Sequence, residues 1–220
     1  MHELQLFSEP STVMLCRSYE RALLWVTQRE LLIRYLIPTP RRRVFLTAVA
    51  LPGIIHAIDF SNLLKSRFIE WKYIRFGRLP VDYVVGDLYM RISLAEQIEQ
   101  YLEKHPWLQS KARLALYAPD LPPQVMRFRR LRRMYNLEWQ LRYLHAFGIV
   151  MEHRFQHMYF DDELQKLCFY LSVYYQGNVL PNAHSNRSAY SAVQWKDAEP
   201  YAVRFYWQNS STSSMQGDTD

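Results

Sequence analysis

The most apolar segment of the chain is residues 41–60, RRRVFLTAVALPGIIHAIDF, and it carries positive charge at both ends. Three arginines open it, Lys65 and Arg67 follow it, and Pro52-Gly53 interrupts it. Counted over residues 44–64, it has about the length of a helix that crosses a bilayer. The charged side chains within it and the Pro-Gly break count against spanning, because charge inside hydrocarbon is costly. The two alternatives for this segment are burial in the protein and a position at a membrane interface.

The apolar side chains of this segment must be covered by other apolar groups, whichever environment is correct. We expect them to contact a membrane or a partner subunit, with possible membrane contact extending over residues 44–64. The residues concerned are Val44, Leu46, Val49, Leu51, Ile54, Ile55 and Ile58.

Composition indicates a folded, mainly helical protein. The 220 residues are 49% apolar and 22% charged, which is typical of a globular chain. Only six are glycine, and few glycines leave few of the positive-φ turns that many-stranded β folds require. We therefore predict a mainly α fold, an irregular multi-helix bundle with long helices, a few short strands and extended termini. Residues 1–208 form one domain with a sub-boundary near the prolines of 118–123, and 209–220 form a polar tail that is disordered unless bound.

Hydrophobic periodicity and the breakers give an outline of the elements. Helices are predicted over residues 11–37 and over 163–177. A third helical pattern covers residues 124–159, as one helix or as two that meet near Gly148. The strand candidates are residues 80–92, with a turn at Gly86-Asp87, and residues 201–207, read as a strand or an extended docking arm.

Positive charge is concentrated in two short arginine runs within a chain of formal net charge +6. The denser run places five arginines within seven residues of a predicted helix, and Glu138 is the only acid close by. Unshielded arginines repel one another and bind phosphates or carboxylates well. We predict that both runs contact an anionic surface, which names Arg41, Arg42, Arg43, Arg127, Arg129, Arg130, Arg132 and Arg133.

Catalytic and cofactor signatures are weak by comparison. His153 and His157 are spaced to share one helix face and are weak candidates for metal ligands, but Arg154 stands where a metalloprotease helix carries its glutamate. The chain has neither of the glycine-rich phosphate-binding patterns. Cys16 and Cys168 are far apart within helical patterns and indicate buried thiols in a reducing compartment. We therefore predict no enzyme activity, no catalytic residue and no cofactor.

Three functions follow as expectations. The first is a non-catalytic accessory subunit of a large multiprotein assembly, a mitochondrial membrane-bound energy-converting complex at the inner membrane or matrix side. Its partners would be neighbouring protein subunits and anionic lipid headgroups. The second is an RNA-contacting structural protein of an organellar ribosome or another ribonucleoprotein. The third is a small helical metal-dependent enzyme that uses the histidine pair.

Overall fold

The computed structural model describes residues 10–60, 67–77, 83–176 and 199–214. Within these ranges the chain forms ten helices and one two-stranded antiparallel sheet, which confirms the mainly α prediction. The elements in chain order are α1 (Pro10–Gln28), α2 (Glu30–Leu36), α3 (Pro40–Phe60), α4 (Arg67–Phe76), β1 (Val84–Val85), β2 (Met90–Arg91), α5 (Ile92–Lys104), α6 (Pro106–Ala112), α7 (Pro123–Met134), α8 (Leu137–Arg154), α9 (Glu163–Gln176) and α10 (Glu199–Ser214).

Helix α3, which carries the apolar segment, is the centre of the bundle. It packs against α1, α8, α9 and α10, and Leu46, Val49, Leu51 and Ile54 are at most 1% exposed. The predicted contact with a membrane or partner is therefore corrected, since these side chains, with Ile55, are covered by the protein's own helices. The other two residues of that set, Val44 and Ile58, are half-buried and pack against the same core, and residues 61–64 lie outside the described ranges. In the described parts of the chain no helix has the length and apolar character needed to span a membrane.

The hydroxyl of a buried tyrosine forms hydrogen bonds with the backbone of α3 beside Pro52. Proline has no backbone N–H to donate, and its ring clashes with the carbonyl four residues earlier, so the helical hydrogen bonds are interrupted at this point. The Gly53 N–H donates to the Tyr175 hydroxyl at 2.7 Å, and this hydroxyl donates to the Val49 carbonyl at 3.1 Å. A Cβ on Gly53 would lie 2.6 Å from the Leu88 carbonyl oxygen, so glycine permits the close approach of the sheet. The Pro-Gly pair is thus a packing site for α9 and the hairpin.

The predicted strand segment forms a short hairpin that is anchored to α8. Gly86 begins the turn between β1 and β2 with a φ of +73°, which glycine adopts without strain. The Gln140 side chain accepts from the Leu88 N–H at 2.8 Å and donates to the Met134 carbonyl at 2.7 Å. The turn predicted at Gly86-Asp87 is confirmed, and residues 80–82 lie outside the described ranges.

Three element predictions need correction. The helix predicted over 11–37 divides into α1 and α2 at Arg29, whose backbone is not helical. The pattern over 124–159 divides at Tyr135-Asn136, where the Asn136 side chain caps α8, and Gly148 lies inside α8 against Leu46. Residues 201–207 are helical as part of α10, because Ala202 and Phe205, three residues apart, are buried on one face. Helix α10 continues to residue 214, while residues 1–9, 177–198 and 215–220 lie outside the described ranges.

Candidate anion-binding site

Helix α7 divides its five arginines between the core and the surface. At about 100° per residue, neighbouring arginines point in different directions, so they cannot share one face. Arg130 is only 5% exposed, Arg127 and Arg133 are half-buried, and Arg129 and Arg132 are exposed. Fewer than five arginines of this run are therefore available to bind an anionic partner.

Arg130 is a structural residue held by carboxylates of α5. Its Nε donates to Glu99 at 2.9 Å, and its Nη1 donates to Glu96 at 2.7 Å and to the Tyr73 hydroxyl at 2.6 Å. Tyr143 donates a further hydrogen bond to Glu99, which is 2% exposed. Arg130 and Glu99 thus meet the requirement that buried charges be both paired and hydrogen-bonded. Arg130 is consequently withdrawn from the predicted anion-binding set.

The pKa directions within this network follow from burial and pairing. Burial raises the pKa of Glu99, while the hydrogen bonds and charge of Arg130 act against that rise. Burial alone would lower the pKa of Arg130, but its hydrogen bonds to Glu99 and the nearby negative charges outweigh burial and raise it. Arg130 therefore stays a cation, and it is the group that makes an ionised Glu99 tolerable in the core.

Arg127 is also held by the fold. Its guanidinium covers Gly77, which follows the last turn of α4, and a Cβ on Gly77 would lie 1.9 Å from Nη1. A cation at this place faces the negative end of the α4 dipole. The Arg127 Nε is buried without a hydrogen-bond partner among the described residues.

Arg133 is a fixed cation at the rim of a surface cleft. Its guanidinium lies 4.1 Å from the ring centroid of Tyr117 and 4.0 Å from that of Trp139, and Nη1 donates to the Ala115 carbonyl at 2.7 Å. Stacking between two aromatic rings fixes the plane of the guanidinium and reduces the entropy that it loses on binding. Arg133, which lines the cleft, is thereby held in place.

The cleft has a volume of about 360 Å³ and contains no acidic side chain in its lining. Arg129 and Arg132, one helical turn apart, contribute exposed cations, and neither forms an ion pair with a described residue. The nearest acid that sequence analysis identified, Glu138, is bound to Arg142 at 2.7 Å. Three guanidiniums beside two aromatic rings form a site with the chemistry of phosphate recognition.

The second arginine run lies elsewhere on the molecule. Arg42 makes a bidentate ion pair with Glu152, with distances of 3.0 and 2.7 Å. Glu152 lies thirteen residues beyond Trp139 on α8, which corresponds to about 20 Å along the helix axis. Arg41 is exposed, and Arg43 donates to the Pro38 carbonyl at 3.5 Å. The two runs therefore do not form one continuous anionic surface.

The histidine pair does not assemble a ligand set. His153 lies on α8 with its Nδ1 2.8 Å from the Tyr101 hydroxyl, and its ring packs edge-on against Trp107. His157 lies beyond the end of α8 and contacts Gln156, so the two imidazoles do not share a helix face. Within the described residues, no group of three or more potential ligands is arranged to hold a metal ion.

Sequence analysis missed the aromatic residues that shape the cleft. Tyr117 directly precedes the predicted sub-boundary at 118–123, and Trp139 lies within the helical pattern of 124–159, so neither was a candidate site residue. A tryptophan and a tyrosine close in sequence to an arginine run are the signal that indicates a stacked guanidinium. Comparison of the chain with family models, curated proteins and solved structures finds no match.

Proposed function

We propose that the protein is a non-catalytic subunit of a ribonucleoprotein assembly and that it binds RNA at the arginine cleft of α7. The observation that carries this proposal is the pair of exposed arginines, Arg129 and Arg132, which form no ion pair among the described residues and lie beside the guanidinium of Arg133. Phosphate contacts of this kind position an RNA-binding protein on the backbone without reading sequence. The proposed role is therefore to hold RNA in place rather than to select it.

The shape of the cleft favours RNA over a lipid surface. Planar guanidiniums can bind phosphate oxygens through two parallel hydrogen bonds, and the rings of Tyr117 and Trp139 add apolar walls suited to ribose and base edges. A membrane surface is bound instead by spread cations together with apolar side chains that enter the lipid. The longest apolar segment, on α3, is covered by the core.

Exposed apolar side chains support a place in a larger assembly. Leu31, Tyr35 and Tyr159 are 83%, 70% and 76% exposed, and α4 exposes Phe68 and Trp71. Aromatic residues are enriched where protein surfaces become desolvated against a partner. These positions are the ones at which we expect neighbouring subunits to bind.

The membrane-bound energy-converting complex stays a second candidate, supported by the same basic and aromatic surface and with anionic headgroups as the partner. A mitochondrial location stays a prediction for both candidates.

The test compares RNA binding of the unmodified protein with that of Arg129→Gln/Arg132→Gln. Fluorescence anisotropy with a short single-stranded RNA, repeated from about 50 to 200 mM salt, gives both affinity and salt dependence. Loss of two phosphate contacts should reduce the slope of log affinity against log salt by about 1.4. The control is Arg17→Gln/Arg21→Gln on α1, which removes the same charge from two other exposed arginines.

An equal loss of affinity in the α7 variant and the α1 control would contradict a specific site. Binding to anionic vesicles with no binding to RNA would select the membrane candidate instead.

A further inference from the structure

A second cavity, of about 420 Å³, lies where the first turn of α3 meets α8, α9 and α10. This volume falls in the range of pockets that bind small molecules. One part of its wall is aromatic, with Phe45 edge-on to Tyr170 at 5.0 Å and to Tyr206 at 5.9 Å between ring centroids. The rest of the wall is polar and charged, so the cavity is amphipathic.

The two carboxylates of the cavity wall lie beside donor groups of the protein itself. Glu152 accepts two hydrogen bonds from Arg42, and Glu163 lies close enough to the Tyr206 hydroxyl to raise its pKa. Burial raises the pKa of Tyr206, and the adjacent Glu163 raises it further, so this hydroxyl stays a donor at neutral pH. Glu152 therefore does not need a cationic ligand.

Three donors on the same wall have no such partner. The Lys166 ammonium lies 5.4 Å from the centroid of Phe45 and forms no ion pair with a described residue. Tyr170 is only 3% exposed, and its hydroxyl makes no hydrogen bond within the described ranges. Arg41 is exposed at the mouth of the cavity and is likewise unpaired among the residues described. A tyrosine hydroxyl and two cations that line one cavity are an arrangement that an anion would complete.

We propose that this cavity binds a small organic anion, with its carboxylate or phosphate on Lys166, Tyr170 and Arg41 and its apolar body against Phe45 and Tyr206. The wall contributes three positive and two negative side chains, so its charge also favours a ligand with a single anionic group. The site is distinct from the arginine cleft, which lies toward the opposite end of α8. Its occupancy does not depend on RNA binding.

The test uses phenyl phosphate, which carries both features of the proposed ligand. Isothermal titration calorimetry on the full chain compares it with inorganic phosphate, which lacks the ring, and with benzyl alcohol, which lacks the charge. Phenyl phosphate should bind at least about tenfold more tightly than either, because a charged hydrogen bond and ring burial each contribute.

Two conservative variants locate the site. Lys166→Met keeps the aliphatic stem against Phe45 and removes the charge, and Tyr170→Phe removes only a hydroxyl. Each should weaken phenyl phosphate by about tenfold and leave benzyl alcohol unchanged. The matched control is Lys72→Met, since Lys72 also lies over a phenylalanine ring but on α4.

Three results would overturn the proposal: no binding of phenyl phosphate, equal binding of benzyl alcohol, or equal weakening by the Lys72 control. Circular dichroism of each variant establishes that it is folded before titration. Failure here leaves the RNA proposal intact, because the cavity and the arginine cleft share no lining residue; for the same reason Arg129→Gln/Arg132→Gln should bind phenyl phosphate in the cavity as the unmodified protein does.

Discussion

Replacement of Arg130 by methionine should be among the most destabilising single substitutions in this protein. Methionine retains much of the volume but removes the charge and every hydrogen bond to Glu99, Glu96 and Tyr73. Glu99, at 2% exposed, would keep only the hydrogen bond from Tyr143. Breaking a buried pair and leaving one charge behind costs about 3–5 kcal/mol, against a total of about 5–15 kcal/mol for a typical domain.

The same reasoning gives a pH dependence with a definite sign. Burial already raises the pKa of Glu99 from its ordinary value of 4.5, and loss of the Arg130 charge should raise it further in the variant. A raised acid pKa means that the folded state binds more protons than the unfolded state, so stability falls as pH rises through that interval. The cost of Arg130→Met should therefore be smallest below pH 4.5 and largest at neutral pH.

Urea unfolding at acid and at neutral pH measures both effects. Arg132→Met is the control, because Arg132 is exposed on the same helix and should change stability by less than about 0.5 kcal/mol. The double variant Arg130→Met/Glu99→Gln should recover part of the loss, since no unpaired charge remains in the core. Equal costs for the Arg130 and Arg132 variants, or a cost independent of pH, would refute the buried network.

Two further substitutions test the packing around α3. Tyr175→Phe should cost about 1–3 kcal/mol in urea unfolding, because the buried Gly53 N–H loses its acceptor, and a Tyr35→Phe control at an exposed ring should cost nearly nothing. Gly86→Ala should destabilise by more than about 1 kcal/mol in thermal unfolding, since its φ is positive and the new Cβ would lie 1.7 Å from Gln140 Nε2. An unchanged melting temperature would show that the hairpin can shift without loss.

The sequence was sufficient to predict the fold class, because the small number of glycines and the helical periodicity both report on local backbone conformation. It could not predict where α7 ends and α8 begins, since the apolar pattern continues through Tyr135-Asn136. The cap that divides them depends on one side chain, that of Asn136. The strand predicted over residues 201–207 was wrong because valine and aromatic residues favour strands in isolation, whereas packing of α10 against α3 overrides that preference.

The anion-binding site could be predicted only in part. An arginine run predicts an anionic contact somewhere on a helix. It does not predict which of the arginines is buried in the core. The missing signal lay in α5, where Glu99 shares a stripe with Ala95, Ile98 and Leu102. A carboxylate on an apolar stripe predicts a buried counter-ion, and Arg130 supplies it. The partner could not be chosen from sequence because the pairing joins positions 31 residues apart.

Helix α8 connects the three charged regions of the molecule. The arginine cleft lies at its N-terminal end, Tyr143 in its middle completes the Glu99 network, and Glu152 near its C-terminal end holds Arg42 at the second cavity. Because core residues of α8 are close to fully buried, the helix cannot slide without opening the core. Trp139 and Glu152, which line the two surface sites, are therefore held about 20 Å apart along the α8 axis. A ligand in one should not change affinity in the other. Titrating RNA with and without phenyl phosphate measures that independence, with Lys166→Met as the control for phenyl phosphate that binds the arginine cleft itself.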